Sequence, residues 1–562
     1  MNDVKRQLLK ALEKASGEEP AAEDIKESPV ADYGSPIAFK LAGKLKRKPQ
    51  EIAAGIAAKI KPGGYIRETT AEGGYVNFTL DYGEVARHLL SKTKKPQKKS
   101  DKIILEHTSV NPTGPVHVGR IRNTVIGDSL RRILQHSGHE VETHYYVNDI
   151  GKQIAIIALG LAEDVEPDQK LKERYGRYSG RPDYQTFFAY VEANRRYESE
   201  AGFQEKVQGL IQAAESGDDG ALKQITSAAR RCLDGQMETF GRLGVRFDYF
   251  DYESESLRDG GVEQVMRKVR ASGNYVKNEL GEGLDLRGCG IEKGGGMSVL
   301  SRADGTSVYL ARDLAYHLKK IKLGDRVINV LGEDHKLEFR ELKTILAGVF
   351  GVEKPVDVVH FSFVSFEGVK LSTRRGEIAA VDELLDEAVA KALEEVRRRG
   401  LGDEKTAMMV GVGAVKFHIV KTTPNKQITF RWEDALDFEG ETAPYVQYAH
   451  ARSCRILEKS GLNLDSISDV DYEAVDREEK ELTMKLLKFD ETVEEAASQL
   501  RPDLIATYLV ELAGAYGRFY MKCPVLDSAG GVRNRRLLLM RKLRDTVKTG
   551  LGLLGIEAPE RM

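Results

Sequence analysis

The sequence predicts an α/β protein: a doubly wound parallel sheet in the middle, a small α+β unit before it and an all-α helical bundle after it. Three observations lead there. Lys102–Glu106, the helical pattern from Val118 to Leu134, and Val141–Val147 read as strand, helix, strand, a βαβ unit of ordinary size. Strand patterns return at Val327–Leu331 and Val358–Val364, as the second half of such a sheet requires. After about residue 405 apolar residues recur only at helical spacing.

The chain has 562 residues, too many for one core, and divides into units at 1–95, 96–404 and 405–562. In the first unit the N-terminus reads as an amphipathic helix without the apolar core of a signal peptide. Ile37–Ile60 is helical in pattern and broken at Pro49; a Gly-rich turn and the strand Tyr75–Leu80 follow. Lys92–Lys99 (KTKKPQKK) has no apolar periodicity and reads as a solvated linker. In the second unit the apolar positions Val118, Ile121, Val125, Leu130, Ile133 and Leu134 mark a helix that Gly138 stops. An insertion spans about 160–300; its charged helical stretch to about 245 carries no catalytic cue. In the third unit three apolar series, beginning at Leu486, Tyr508 and Leu539, mark bundle helices.

Composition narrows the function classes. The 41% hydrophobic residues suffice to bury several cores, and the formal net charge of −2 gives no global positive field. A nucleic-acid partner would therefore be held by local basic patches. No apolar run approaches the roughly 20 residues that cross a bilayer. Four cysteines lie far apart with no C-x-x-C pair, so neither a zinc site nor a disulfide framework is indicated. A reducing, cytoplasmic location fits.

The strand Lys102–Glu106 runs through a loop with Asn111, Pro112, Gly114 and Pro115 into a helix near His117. Such a junction presents free backbone N–H groups and the positive end of a helix dipole. A histidine there can donate to a phosphate and stabilise charge developing on it. Alone, H-x-G more often shapes a turn in which the histidine caps a helix. The wider string changes that weighting. Asn111–Arg120 (NPTGPVHVGR) resembles the first signature of class I aminoacyl-tRNA synthetases, and Glu106–Arg122 (EHTSVNPTGPVHVGRIR) is similar to its arginyl members. Lys370–Arg374 (KLSTR), with Gly376 behind it, resembles the second signature.

The resemblance covers nearly the whole chain and implies a Rossmann-like catalytic domain, an extra N-terminal tRNA-binding domain and a helical anticodon-binding domain. It implies arginyl-adenylate formation from L-arginine and ATP with Mg2+, then transfer to the terminal 2′-hydroxyl of tRNA(Arg). No tightly bound cofactor is expected, and the protein is expected to be a monomer. In this reading His117, Arg120, Lys370 and Arg374 serve catalysis. Gly114, His117, Gly119, Gly332, Asp334, Lys370 and Ser372 bind ATP, with Gly332 and Asp334 at the ribose. An arginine pocket needs carboxylates for the guanidinium fork; the family pattern points to Glu106, Asn111, Tyr309, Asp313 and His335. Either Glu253 or Glu255 adds to it. Asn148 and Asp149 read equally as structural or functional.

On the RNA side, Tyr445, Gln447 and Arg452 are the family candidates, since unpaired bases stack on aromatics. Tyr448 reads as bundle core. The arginines and lysine at 533–544 form either a phosphate-contacting face or a solvated helix face, and Lys44, Lys46, Arg47 and Lys48 could grip the tRNA body. The chain departs from its family in two places. Arg120 replaces the second histidine of the first signature, and Thr373 replaces a lysine of the second. Gly114 stands where a compensating lysine is common. Arg120, with Lys370 and either Arg374 or Arg375, is the expected source of the missing positive charge.

Overall fold

The computed structural model describes residues 3–91, 98–163, 168–292, 296–303, 306–366, 379–400, 402–473 and 475–562. The N-terminal helix Asp3–Ser16 lays Val4, Leu8 and Leu12 onto a four-stranded antiparallel sheet with Val76 and Phe78 at its centre. Pro49 opens the helix Pro49–Lys59, the position where a missing N–H costs nothing. The Gly-rich stretch holds an unexpected strand, Ile66–Glu72; only Ile66 is fully buried along it, so it has no apolar alternation to read.

The central sheet is built from β1 (Lys102–Glu106), β2 (Glu140–Val147), β3 (Tyr249–Tyr252), β4 (Arg326–Gly332) and β5 (Val356–Phe361), all parallel, in the order β5-β4-β1-β2-β3. The strand order reverses between β1 and β4, and a doubly wound sheet opens its ligand crevice at that point, above the strand C-termini. α1 (Ile121–His136) joins β1 to β2, and α2 (Tyr309–Leu323) and α3 (Lys336–Gly348) flank β4.

The expected insertion at 160–300 needs correction, because β3 lies inside it and completes the sheet edge. β3 is four residues long, and Tyr249 at its start is exposed, so it carries almost no pattern. Two insertions result. Four long helices between Lys152 and Arg242 separate β2 from β3. A three-stranded antiparallel sheet of Tyr275–Asn278, Gly281–Asp285 and Met297–Arg302 lies between β3 and α2.

The C-terminal region is helical, with α4 (Val381–Arg399), α5 (Glu404–Val420), α6 (Ala443–Ser460), α7 (Asp503–Lys522) and α8 (Gly530–Leu553) as its long members. One strand occurs there against expectation: Ile428–Phe430 pairs in parallel with Val364–Phe366. The expected boundary near 405 falls between α4 and α5, which pack along each other. Sheet and bundle share one core, with α1 between them: Val125, Ile133, Leu512 and Leu543 belong to the same apolar cluster. Covered on all sides, α1 even buries its polar residues. Arg122 donates to the carbonyls of Ser362, Lys426 and Thr423, and Asp128 pairs with Arg131 and Arg132 at 2.8 Å each.

Candidate active site and RNA-facing groove

The loop after β1 is strained and firmly held. Thr108 and Ser109 have φ of 73° and 42°, a conformation that costs a non-glycine residue about 1–3 kcal/mol. Asn123 of α1 accepts from the Thr108 N–H at 2.9 Å, and the Ser109 hydroxyl accepts from the Tyr146 N–H at 3.0 Å. The Tyr145 hydroxyl accepts from the Val110 N–H at 3.0 Å and donates back to its carbonyl at 2.9 Å. These contacts aim the rest of the loop at a crevice of about 900 Å³ over the β1–β4 switch point.

His117 caps the turn before α1: its Nδ1 accepts from the Gly119 N–H at 2.8 Å. The proton of the neutral ring is therefore on Nε2, free to donate into the crevice. Burial, with Arg120 adding to it, lowers His117 to about 4, so it stays neutral near pH 7. Capping and phosphate donation are thus compatible roles of the two ring nitrogens. A Cβ on Gly119 would stand 2.9 Å from His117 Nδ1, which is why glycine sits beneath the imidazole. Arg120 is on the exposed rim, with its guanidinium 6.0 Å from the ring of Phe363. Gly332 ends β4, and a Cβ there would meet Asp334 Oδ1 at 2.2 Å; glycine leaves room for that carboxylate at the crevice. His335 lines the same wall, its Nδ1 2.9 Å from Glu338.

Gly114 behaves differently from expectation. It lies away from the crevice lining, its carbonyl accepts from Gln236 at 2.7 Å, and its φ is +153°. A side chain there would meet Phe187 at 2.9 Å, so position 114 has no room for a compensating lysine. Lys370, Ser372 and Arg374, with Thr373, Arg375 and Gly376, lie outside the described residues.

The same crevice is lined by Glu106, Asn111, Tyr146, Asn148, Gln153 and Tyr309. Asp313 is one turn along α2 from Tyr309, 2.9 Å from His317 Nδ1. Glu106 carries a partner that sequence reasoning missed: the fully buried Lys320 donates to it at 2.5 Å and to Asn329 at 2.7 Å. The signal was available, since Lys320 continues the helical face of Tyr309, Asp313 and His317. Of the two alternatives near β3, Glu253 is buried 2.5 Å from Arg312, whereas Glu255 is exposed and pairs with Lys319. Asn148, with its amide turned to suit its neighbours, donates to Glu253 at 2.8 Å. Asp149 is structural: it accepts from the Ser254 N–H and hydroxyl at 2.8 and 2.6 Å.

A second groove, of about 1060 Å³, lies on the helical region and is lined by Tyr448, Arg452, Arg455, Tyr520, Met521 and Met562 among others. The Arg452 guanidinium sits 4.5 Å from the Tyr448 ring and 4.4 Å from the Tyr520 ring. Tyr448 is thus a groove residue, not the core residue expected. Tyr445 is half-buried with its hydroxyl toward Gly514 and Gly517. Gln447 is fully buried and donates to the carbonyls of Met409 and Glu557 at 3.2 and 2.8 Å, so it braces the bundle and does not face solvent. Arg535 and Arg536 are also buried, each paired with Glu479 at 3.1 and 3.0 Å; they cannot form part of a phosphate-contacting face. In the N-terminal unit Lys44, Lys46, Arg47 and Lys48 are exposed.

A neutral histidine at a loop–helix junction, above the reversal of a parallel sheet, is the frame of a class I aminoacyl-tRNA synthetase. Residues 84–432 match the family model described as tRNA synthetases class I (R), catalytic domain. Residues 2–80 match the arginyl tRNA synthetase N-terminal domain and 446–562 the DALR anticodon binding domain. The arginine–tRNA ligase of Methanocaldococcus jannaschii is 40% identical, with 100% of each chain covered. That of Archaeoglobus fulgidus is 38% identical over 99% of each chain. The solved arginyl-tRNA synthetase of Thermus thermophilus superposes with a TM-score of 0.83 at 31% identity, covering all of both chains. The chain belongs to the arginine–tRNA ligase family. No helix among the described residues is long and apolar enough to cross a membrane.

Proposed function

We propose that this crevice activates L-arginine with ATP and passes the arginyl group to the terminal ribose of tRNA(Arg). One observation supports the reading above others. A single crevice is lined by His117 and Arg120, suited to phosphate, and by Glu106 and Tyr309, with the Asp313 carboxylate one turn beyond Tyr309 on α2. Gly119, Gly332 and Asp334 receive the nucleotide, the last two at the ribose. Asn111 and Glu106 take the substrate ammonium, while Tyr309, Asp313 and His335 take the side chain. The substrate carboxylate then attacks the α-phosphorus and pyrophosphate leaves. The His117 Nε2–H donates to the charge that develops on the phosphate oxygens. No side-chain nucleophile is needed; holding the two substrates in line supplies much of the rate. The family pattern adds Lys370, Ser372 and Arg374 at the departing pyrophosphate.

Mg2+ accompanies the triphosphate and neutralises part of its charge. Among the described residues the three-ligand cluster Asp476, Glu479 and Cys523 lies outside the crevice lining; a magnesium ion here would arrive with the nucleotide, held mainly by phosphate oxygens and water. The anticodon side of tRNA is read by the groove of Arg452 and Tyr448, with Tyr445 beside it; Gln447 is excluded by burial. The protein works as a cytoplasmic monomer. The test is ATP–pyrophosphate exchange with arginine or lysine, with and without tRNA. Arginine-dependent exchange that tRNA stimulates is expected, and equal exchange with lysine would contradict the assignment.

A further inference from the structure

Two buried side chains beside Glu106 and Asp313 have no part in the reaction as written above. Tyr309, Asp313, His317 and Lys320 follow one another on one face of α2. His317 is 2% exposed and Lys320 is fully buried. His317 Nδ1 stands 2.9 Å from both Asp313 Oδ1 and the Asp313 carbonyl oxygen. Its Nε2 is 3.2 Å from Lys320 Nζ, and Lys320 donates at 2.5 Å to Glu106 Oε2. An ammonium group has donors only, so the ring accepts at Nε2 and carries its proton on Nδ1, aimed at Asp313. The donors therefore run outward from Lys320, through His317 to Asp313 on one side and directly to Glu106 on the other, and the chain joins the carboxylates assigned to opposite ends of substrate arginine.

We propose that His317 and Lys320 are positioning residues for arginine. His317 holds one oxygen of Asp313 so that the other faces the guanidinium; Lys320 fixes the imidazole tautomer and pins Glu106 for the α-ammonium. The spacing of the two carboxylates is then set by a buried hydrogen-bonded chain instead of by free rotamers, a preorganisation that favours a ligand of one length. This rests on the reading of Asp313 and Glu106 as the arginine acceptors.

The surrounding charges agree. Burial pushes the Asp313 carboxyl up, but His317, with Lys320 and His335 behind it, holds it below its ordinary value. From the other elements Glu106, Glu253, Glu338 and Tyr146 face the same space, and from α2 itself Tyr309 and Arg312 do. The acids among them oppose ionisation of Asp313, and His317, ahead of Lys320 and His335, favours it. Without His317 the Asp313 carboxyl rises, takes up a proton at higher pH, and arginine binding is lost earlier as pH falls.

The test is steady-state ATP–pyrophosphate exchange on the full chain with tRNA present, across about pH 5.5 to 8.5. His317→Leu should raise the KM for arginine about tenfold or more, the scale of a hydrogen bond to a charged group, while the KM for ATP moves less than about twofold. Its acid-side rise in arginine KM should begin at higher pH than in the wild type. His317→Asn keeps a donor at the Nδ1 position and should recover most of the loss. Should His317→Leu fail to fold, His317→Gln serves, because its amide reaches past that position; the same KM rise and pH shift are expected. Lys320→Met should also raise arginine KM selectively. Parallel changes in both KM values, an unmoved pH limb, or no rescue by His317→Asn would overturn the proposal. If Asp313→Asn leaves arginine KM unchanged, the acceptor assignment itself fails. If Asp313→Asn raises it while His317→Leu does not, only the positioning role fails.

Discussion

The crevice and the helical C-terminal region both contain cations and aromatics that read as ligand-facing, and the fold sorts them in opposite ways. At the crevice His117, Arg120, Tyr309 and Asp334 line the open space. In the helical region Arg535, Arg536 and Gln447 are buried in internal contacts, while Tyr448 lines the groove. The difference is topological. A doubly wound sheet always opens at the C-terminal ends of its strands, so a motif directly after a strand has a known destination. A bundle helix turns about 100° per residue and can be covered on several sides, so burial depends on neighbours that a local string does not name.

Variants can break or sharpen this contrast. The largest effect is expected from Arg535→Ala, which leaves the buried Glu479 carboxylate with Arg536 as its one remaining arginine partner; breaking a buried ionic cluster in this way destabilises by about 3 kcal/mol. Denaturant unfolding should show it. Unchanged stability with weakened tRNA binding would return Arg535 to the RNA-facing set. His117→Ala should slow adenylate formation about 100- to 1000-fold, as removal of an oxyanion donor does, with little change in stability. Because His117 is lowered to about 4, the wild-type rate should show no histidine inflection between about pH 5.5 and 8. An inflection there that disappears in His117→Gln would show that the charged ring takes part.

Arg452→Ala should weaken tRNA binding by about 1–3 kcal/mol through lost stacking and charge and flatten the salt dependence, with exchange at saturating tRNA nearly unchanged. Equal loss of arginine activation without tRNA would remove the groove from RNA recognition. The smallest effect belongs to Arg120→His. Its guanidinium is exposed and solvent-screened, so about a tenfold slower adenylate formation is expected from one lost charged contact. A neutral or faster variant would move the compensating charge elsewhere.

How much was legible follows from the same contrast. The βαβ unit, the reversal of strand order and the His117 junction could be read because strand, loop and helix follow in sequence. The helical face of Tyr309 and Asp313 was equally readable, but Lys320 escaped because a lysine suggests solvent until Glu106 is placed against it. β3 and Ile66–Glu72 escaped because edge strands with little burial carry no alternation. Gly114 read as a ligand loop; only Phe187, from a distant helix, shows that it is a packing glycine.

The central claim is that one crevice holds ATP at His117 and arginine at Asp313. It is tested most directly by the two KM values of Asp313→Asn in tRNA-supported pyrophosphate exchange. The loss of a hydrogen bond to a charged group, about 1.5–3 kcal/mol, predicts an arginine KM raised roughly 10- to 150-fold with the ATP KM unchanged. Equal changes in both, or none in either, would contradict it.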